Sequence, residues 1–207
     1  MNIHPTSTTL RDVIGLDARP PRLSESALVL IDFQNTYRAG VMALEGAEEA
    51  LAAGARLLER ARSAGVPVVH VVNDGGEGSA YDVRAHIGAV CDEVAPVAEE
   101  PVVVKGFPDA FHLTDLREVL RGLGFAPGDG GNLIMGGFMT HMCVNHTAQG
   151  AFNLGYRPTV VAETTATRAL PTPDGGVLTA AALQTAALTS ITDLFGIVVP
   201  TVDSLPA

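Results

Sequence analysis

Short apolar runs recur along the chain and alternate with longer stretches of helical period. Ala27-Leu28-Val29-Leu30-Ile31 is unbroken and ends in Asp32. A second run covers 67–72. A third, Pro101-Val102-Val103-Val104, ends in Lys105, and 132–137, 158–162 and 197–199 supply three more. Continuous, β-branched runs of this length suit strands buried on both faces, as in a parallel sheet, rather than strands with one wet face. Between them, 48–64 places Leu51, Ala55 and Leu58 on one side and Glu49, Arg56 and Arg60 on the other, and Gly65 ends it. The pattern predicts further helices over 115–123, with Leu116, Val119, Leu120 and Leu123 inward, over 142–154 and over 177–194. Strands alternating with helices imply right-handed crossovers. The expected fold is α/β: a single-domain, three-layer α/β/α unit with a mostly parallel six-stranded sheet, Rossmann-like in plan.

Residues 1–24 carry Pro5, Pro20 and Pro21 with little periodicity, and read as an N-terminal arm, laid over a neighbouring subunit, ahead of a domain over 25–207. The loop 74–79 is rich in glycine and is expected to vary with substrate. The alanine-rich stretch 180–187 permits close helix approach, in the core or at a subunit contact.

Composition narrows the function classes. A chain of 207 residues, 47% hydrophobic and 17% charged, is globular and long enough for a substantial core. A formal net charge of -10 argues against nucleic acid and anionic membrane surfaces as partners. No apolar stretch approaches the ~18–20 residues that span a bilayer, and residues 1–15 lack the pattern of a signal peptide. Two cysteines, Cys91 and Cys143, form no disulfide framework, which fits a cytoplasmic setting.

In a parallel sheet all strand C-termini share one edge, and sites form there. Asp32, Lys105 and Cys143 all emerge at that edge. Cys143 lies in Gly136-Gly137-Phe138-Met139-Thr140-His141-Met142-Cys143-Val144, read as a strand, a tight turn and a helix start. Unpaired N–H groups at a helix N-terminus favour thiolate over thiol. A buried structural cysteine is the competing reading. A nucleophile beside an acid and a cation is the layout of covalent catalysis.

These segments resemble the isochorismatase-like cysteine hydrolases, or nicotinamidase-related amidohydrolases. The matching pieces are Leu28-Val29-Leu30-Ile31-Asp32-Phe33-Gln34-Asn35, then Val104-Lys105-Gly106-Phe107-Pro108-Asp109-Ala110-Phe111, then Gly136 to Val144. Thr147-Ala148, Gly155-Tyr156 and Thr159-Val160-Val161 continue the likeness, which covers roughly residues 24 to 200. The resemblance implies an isochorismatase-like fold and a triad of Asp32 as proton acceptor, Lys105 as thiolate stabiliser and Cys143 as nucleophile. It also implies an oxyanion hole from the backbone N–H groups of Met139 and Cys143, helped by a cis peptide between Phe138 and Met139. Two departures matter. Nicotinamidases carry an Asp-x-His metal motif after the second strand, whereas Asp74 here has no His two residues later. True isochorismatases lack the cysteine and cleave a vinyl ether with the Asp as acid.

The remaining residues divide between site and scaffold. Gln34 lines the pocket or caps a turn. Phe107 and Phe111 wall an apolar pocket or belong to the core. His70 lies near the same sheet edge, as a site group or as a satisfied structural histidine. Thr164 and Thr167 contact substrate or serve turn chemistry. His112, His141 and His146, with Asp74 and Glu77, show no metal-ligand spacing, so neither metal nor cofactor is expected. The expected activity is that of a metal-independent cysteine hydrolase that cleaves an amide or carbamoyl C–N bond of a small molecule through an acyl-enzyme on Cys143. It is expected to assemble as a homo-oligomer, dimer or tetramer. The alternatives are a vinyl ether hydrolase and a non-catalytic small-molecule binding protein on the same fold.

Overall fold

The computed structural model describes residues 8–97, 99–128 and 130–207. Six strands form one parallel sheet: β1 (Ala27–Ile31), β2 (Val68–Asn73), β3 (Val102–Lys105), β4 (Asn132–Phe138), β5 (Arg157–Ala166) and, at the far edge, the last strand (Ile197–Val199). Between these last two in sequence, β6 (Leu170–Pro171) and β7 (Val177–Leu178) pair as a small antiparallel hairpin, so the last strand is β8. The order in the large sheet is β3-β2-β1-β4-β5-β8. The chain builds outward from β1 to β3, then returns to lay β4 on the other side of β1. That reversal is the switch point at which open α/β sheets hold their ligands.

Both faces of the sheet are covered over β1, β2 and β4, which explains their unbroken apolar runs. The edge strand β3 departs from that expectation, with Val103 and Lys105 buried but Val102 and Val104 about half exposed. Leu28 and Leu30 face one core with Leu51, Leu57 and Leu58 of α2 (Ala47–Ser63). Val29 and Ile31 face a second core with Leu116 and Leu120 of α3 (Leu116–Gly122), and with Ala148 and Ala151 of α4 (Asn145–Asn153). The expected three-layer, mostly parallel architecture is therefore observed. Among the described residues no helix is long and apolar enough to cross a membrane.

Two boundaries differ from the periodicity reading. The helix expected over 177–194 begins only at Ala180, as α5 (Ala180–Ser190), and ends in a π-helical turn, Ile191–Phe195. Thr179 fixes the start, its hydroxyl accepting from the Ala182 N–H at 3.2 Å. Upstream, Thr172 N–H donates to the Gly176 carbonyl at 3.0 Å and closes the β6–β7 turn, which takes Val177 and Leu178 into the hairpin. Strand β5 also runs past the expected 162. It re-pairs Thr165 with Gly137 and Ala166 with Phe138 after a register shift beyond Met135. Thr164 folds its hydroxyl back on the Val161 carbonyl, 2.7 Å, and fills the space over Gly136 that a side chain there would need.

The described part of the arm docks on its own chain. A short helix, α1 (Leu10–Val13), is capped by Thr9. Leu10 N–H donates to Asp193 Oδ1 at 2.9 Å, and Arg11 donates to the Leu194 carbonyl at 3.2 Å.

Candidate active site

Asp32 follows β1 with φ of 51°, a left-handed conformation that aspartate tolerates better than most residues. Its N–H donates to the Val71 carbonyl at 2.8 Å, and its own carbonyl accepts from Gln34 N–H at 2.8 Å, so the turn is pinned to β2. Lys105 is the last residue of β3. Its side chain reaches past β2, and Nζ stands 2.8 Å from Asp32 Oδ2 and 3.3 Å from Cys143 Sγ. Cys143 sits in a π-helical turn, Thr140–Val144, between β4 and α4. The turn is held at its head by Met139, whose carbonyl accepts from the N–H groups of Met142 and Val144. The peptide between Phe138 and Met139 is cis, as the resemblance implied.

The three groups are buried and electrically coupled. Burial pushes the Asp32 carboxyl up, against the pull of Lys105 and of the Cys143 thiol. Burial also pushes the Cys143 thiol up, to about 12, with the Asp32 charge adding and Lys105 opposing. For Lys105, burial works against the ammonium, yet the charges of Asp32 and Cys143 outweigh it and hold the pKa above its ordinary value. One ammonium balances one negative charge. Asp32 and Cys143 therefore keep one proton between them, and titrate as a unit rather than singly. This corrects the expectation of a free low-pKa thiolate from the helix start. The turn does precede a helix, but an almost dry site with a carboxylate in it dominates the helix dipole.

The structure separates the other expected site residues. Gln34 is wholly buried: Nε2 donates to the carbonyls of Asn73 (3.0 Å) and Gly88 (2.6 Å), and Oε1 accepts from Asn73 N–H at 2.9 Å. Its amide is occupied by backbone, so it clasps the 86–91 segment to the sheet edge instead of facing substrate. His70 is placed mid-strand, three residues before the end of β2, on the α2 side. Its Nε2 is 2.8 Å from Glu100 Oε2, which Arg62 of α2 also contacts at 2.7 Å. It is a structural histidine outside the site. Phe111 stacks on Tyr156, 5.5 Å between centroids, within the second core, where packing and not a pocket claims it. Phe107 is about half exposed and stands edge-on to His112, on the rim of a surface cleft with Asp109 and His146.

Three neighbours were not singled out by the periodicity. Tyr37, five residues after Asp32, is buried and stands edge-on to Phe138 and to Tyr81, with centroids 5.5 and 5.8 Å apart. Burial first, then the charges of Asp32 and Cys143, with Tyr81 adding, raise the pKa of its hydroxyl. Tyr81 closes the glycine-rich loop after β2. Arg168 follows β5, and its Nε is buried without a hydrogen-bond partner among the described residues. Its charge acts on Tyr81 and on His141, whose Nδ1 is 2.6 Å from Thr167 Oγ1. Thr164 and Thr167 thus serve local packing and His141. The one legible signal for these residues was position: each lies in a loop leaving the catalytic edge.

A metal set is not assembled from the expected positions. Asp74 Oδ1 accepts from Gly76 N–H at 2.9 Å and lies 3.4 Å from Arg84. Among the described residues no three His, Cys, Asp or Glu side chains converge to hold an ion.

The fold and this site define an α/β protein with a buried carboxylate, ammonium and thiol at the switch point of a parallel sheet. Comparison with known proteins agrees: the isochorismatase domain matches residues 26–203. The chain belongs to the isochorismatase family and is a hydrolase. It is similar to the secreted isochorismatase effector of Verticillium dahliae, 30% identical over 95% of this chain and 98% of that protein. It is similar to a ureidoacrylate amidohydrolase of Stutzerimonas stutzeri, 30% identical over 73% of this chain and 75% of that one. Among solved structures, an isochorismatase from Pseudomonas putida KT2440 superposes with a TM-score of 0.90 at 37% identity, covering 97% of this chain and 100% of the other.

Proposed function

We propose that the protein is a metal-independent cysteine amidohydrolase that cleaves the C–N bond of a small amide or carbamoyl compound bearing a carboxylate. The observation that carries the reading is the contact of one buried ammonium with both a carboxylate and a thiol, at 2.8 and 3.3 Å. A binding module gains nothing from three ionisable groups held dry. A nucleophile with its base beside it does.

The chemistry follows from the shared proton. As substrate enters, the Cys143 proton passes to Asp32, and Sγ bonds to the carbonyl carbon. Between the proton transfer and the attack, Lys105 faces a thiolate in place of a carboxylate, so the transfer keeps the ammonium paired. The carbonyl oxygen takes the negative charge and is received by the N–H groups of Met139 and Cys143. Collapse breaks the C–N bond, and Asp32 returns the proton to the leaving nitrogen. Water, deprotonated by Asp32, attacks the thioester carbon, and Cys143 leaves as it recovers a proton.

Arg168 supports the carboxylate. An arginine close enough to Tyr81 and His141 to act on them, with no ion pair to a carboxylate among the described residues, suits an anionic substrate group, because guanidinium binds such groups in a two-pronged way. The name of the ureidoacrylate-hydrolysing relative combines a carbamoyl nitrogen with a carboxylate, which is the same pairing. Tyr37 and Tyr81 form the polar wall between.

We also place the enzyme in the cytoplasm on its unpaired cysteines, although one relative is named a secreted effector. Self-association into a dimer or tetramer is supported by α5, which carries no acidic or basic residue in its end turns and leaves Ala181, Ala182, Thr185 and Ala186 exposed.

The test is a screen of amides and carbamoyl compounds, with and without a carboxylate, for ammonia or amine release. Release from carboxylate-bearing members by the wild type, and none by Cys143→Ala, is expected. Turnover that survives in Cys143→Ala favours the vinyl ether type of chemistry and removes this reading.

A further inference from the structure

The edge of the sheet opposite the triad holds a cavity of about 400 Å³. It is walled by three parts of the chain: the arm through Arg11 and Leu16, the α4–β5 junction through Phe152 and Arg157, and the π-helical turn before β8 and β8 itself through Phe195 and Ile197. Its volume lies in the range of small-molecule pockets, towards the lower end.

The lining is apolar below and cationic above. The rings of Phe152 and Phe195 meet edge-on, 6.1 Å between centroids. Arg11 donates to two carbonyls, Leu194 at 3.2 Å and Asp17 at 2.7 Å, and neither is charged. Arg157 is about half exposed and has Asp17 only at 4.0 Å. Asp17 is itself held by Arg19, at 3.0 Å to Nε and 2.8 Å to the terminal nitrogen. The other nearby acids are engaged elsewhere: Asp12 by Thr9 and Asp193 by the Leu10 N–H. Arg19 and Arg157 thus share the carboxylate of Asp17, and Arg11 touches only its backbone carbonyl, in a chain whose net charge is -10. Arg11 and Arg157 repel each other, and burial together with that repulsion lowers the Arg11 pKa.

We propose that this cavity is a second ligand site, distinct from the triad, for a small anion with an apolar body: one or two fused rings, or a short chain, carrying a carboxylate. The anion lies between Arg11 and Arg157, where it relieves their repulsion. The body rests on Phe152, Phe195, Leu16 and Ile197. Arginine is the side chain suited to gripping a planar anion, and the aromatic floor removes apolar surface from water. The site is joined to the catalytic edge by β5, which starts at Arg157 and ends at Ala166, two residues before Arg168. The assignment stands on this cavity alone and does not depend on the proposed amidase chemistry.

The experiment is calorimetric titration of the full chain with 2-naphthoate, with naphthalene-2-methanol as the neutral counterpart. One saturable site for the naphthoate is expected, with the alcohol at least tenfold weaker. Arg157→Gln removes one charge-assisted contact, and Leu16→Asp sets a like charge in the cavity. Each is expected to weaken naphthoate at least tenfold. Arg168→Gln, at the other end of the sheet, is expected to leave the affinity unchanged. Circular dichroism confirms that each variant is folded. If Leu16→Asp fails to fold, Arg157→Gln decides alone. Absent binding to the wild type, equal binding of the alcohol, or binding lost in Arg168→Gln and kept in Arg157→Gln would each overturn the assignment.

Discussion

The ammonium of Lys105 meets the carboxylate of Asp32 at 2.8 Å, with both side chains wholly excluded from solvent. Desolvating such a pair is costly, and a well-packed apolar pair is often as stable. Stability does not explain it. The same ammonium lies 3.3 Å from Cys143 Sγ, so the pair is held where a second anion can form.

Lys105→Met keeps much of the stem and removes the charge. Turnover is expected to fall at least ~100-fold, the scale of a lost charge stabilisation. The pH at which Cys143 alkylates is expected to rise, because Lys105 opposes the upward shift of the thiol. Asp32 is left buried without its counter-charge, which costs about 3–5 kcal/mol while it is ionised. Its folded pKa then lies further above the unfolded value, so the variant recovers stability as pH falls and loses it as pH rises. Thermal melts across pH, with alkylation by iodoacetamide, measure both effects. A variant whose alkylation profile overlays the wild type removes Lys105 from the triad.

Asp32→Asn separates reactivity from turnover. The Asp32 charge raises the thiol pKa, so its removal leaves Cys143 with Lys105 alone. Cys143 is expected to alkylate at lower pH than in the wild type, while hydrolysis is lost for want of a base. If the thiol becomes less reactive, Asp32 does not share its proton.

The pH dependence of kcat/KM carries the same signature. Burial raises the Asp32 pKa, so a larger fraction of Asp32 is protonated in mildly acid solution than for an ordinary carboxylate. Activity is expected to fall, as pH is lowered, through a limb above the usual ~3.9 of aspartate. The thiol, at about 12, and Lys105, above its ordinary value, set no alkaline limb. The plateau is expected to extend to at least about pH 9, below the ordinary lysine pKa of ~10.4. An acid limb at or below ~3.9 would contradict the burial argument.

His70→Gln tests the division between site and scaffold. His70 contacts Glu100, whose carboxyl is held at about 2 with burial opposing and Arg62 and His70 lowering it. The variant is expected to lose about 1–3 kcal/mol, typical of a buried group left short of a partner. kcat/KM is expected to stay within about twofold, less than the loss of one net hydrogen bond. A large kinetic loss at unchanged stability would return His70 to the site.

The sequence was most legible where chemistry and periodicity coincide. Asp32, Lys105 and Cys143 each close or follow an apolar run, and parallel strands must deliver their ends to one edge. What periodicity cannot show is which face a strand residue takes when both faces are buried. His70 shows this, because its run is buried on both sides and carries no alternation to orient it. Phe111 lies in the turn between β3 and α3, where no periodicity applies at all. Gln34 failed differently: its place beside Asp32 was right, but its hydrogen bonds go to Asn73 and Gly88, partners remote in sequence. Arg168 and Tyr37 were invisible for a related reason. Only the fold shows that Arg168 Nε has no hydrogen-bond partner among the described residues and that Tyr37 stands edge-on to Tyr81. The upward push on the Cys143 thiol is not legible in the sequence, because a helix start is local and readable whereas desolvation is a property of the assembled site.

The most direct measurement is capture of the acyl-enzyme. The protein is mixed with a turned-over amide or carbamoyl substrate, quenched in acid within one turnover, and examined by intact mass spectrometry and peptide mapping. A covalent adduct of the acyl part of the substrate is predicted on Cys143, absent from Cys143→Ala and no longer formed in Asp32→Asn. Steady hydrolysis with no adduct on Cys143 at any quench time, and undiminished in Cys143→Ala, would contradict nucleophilic catalysis by this thiol.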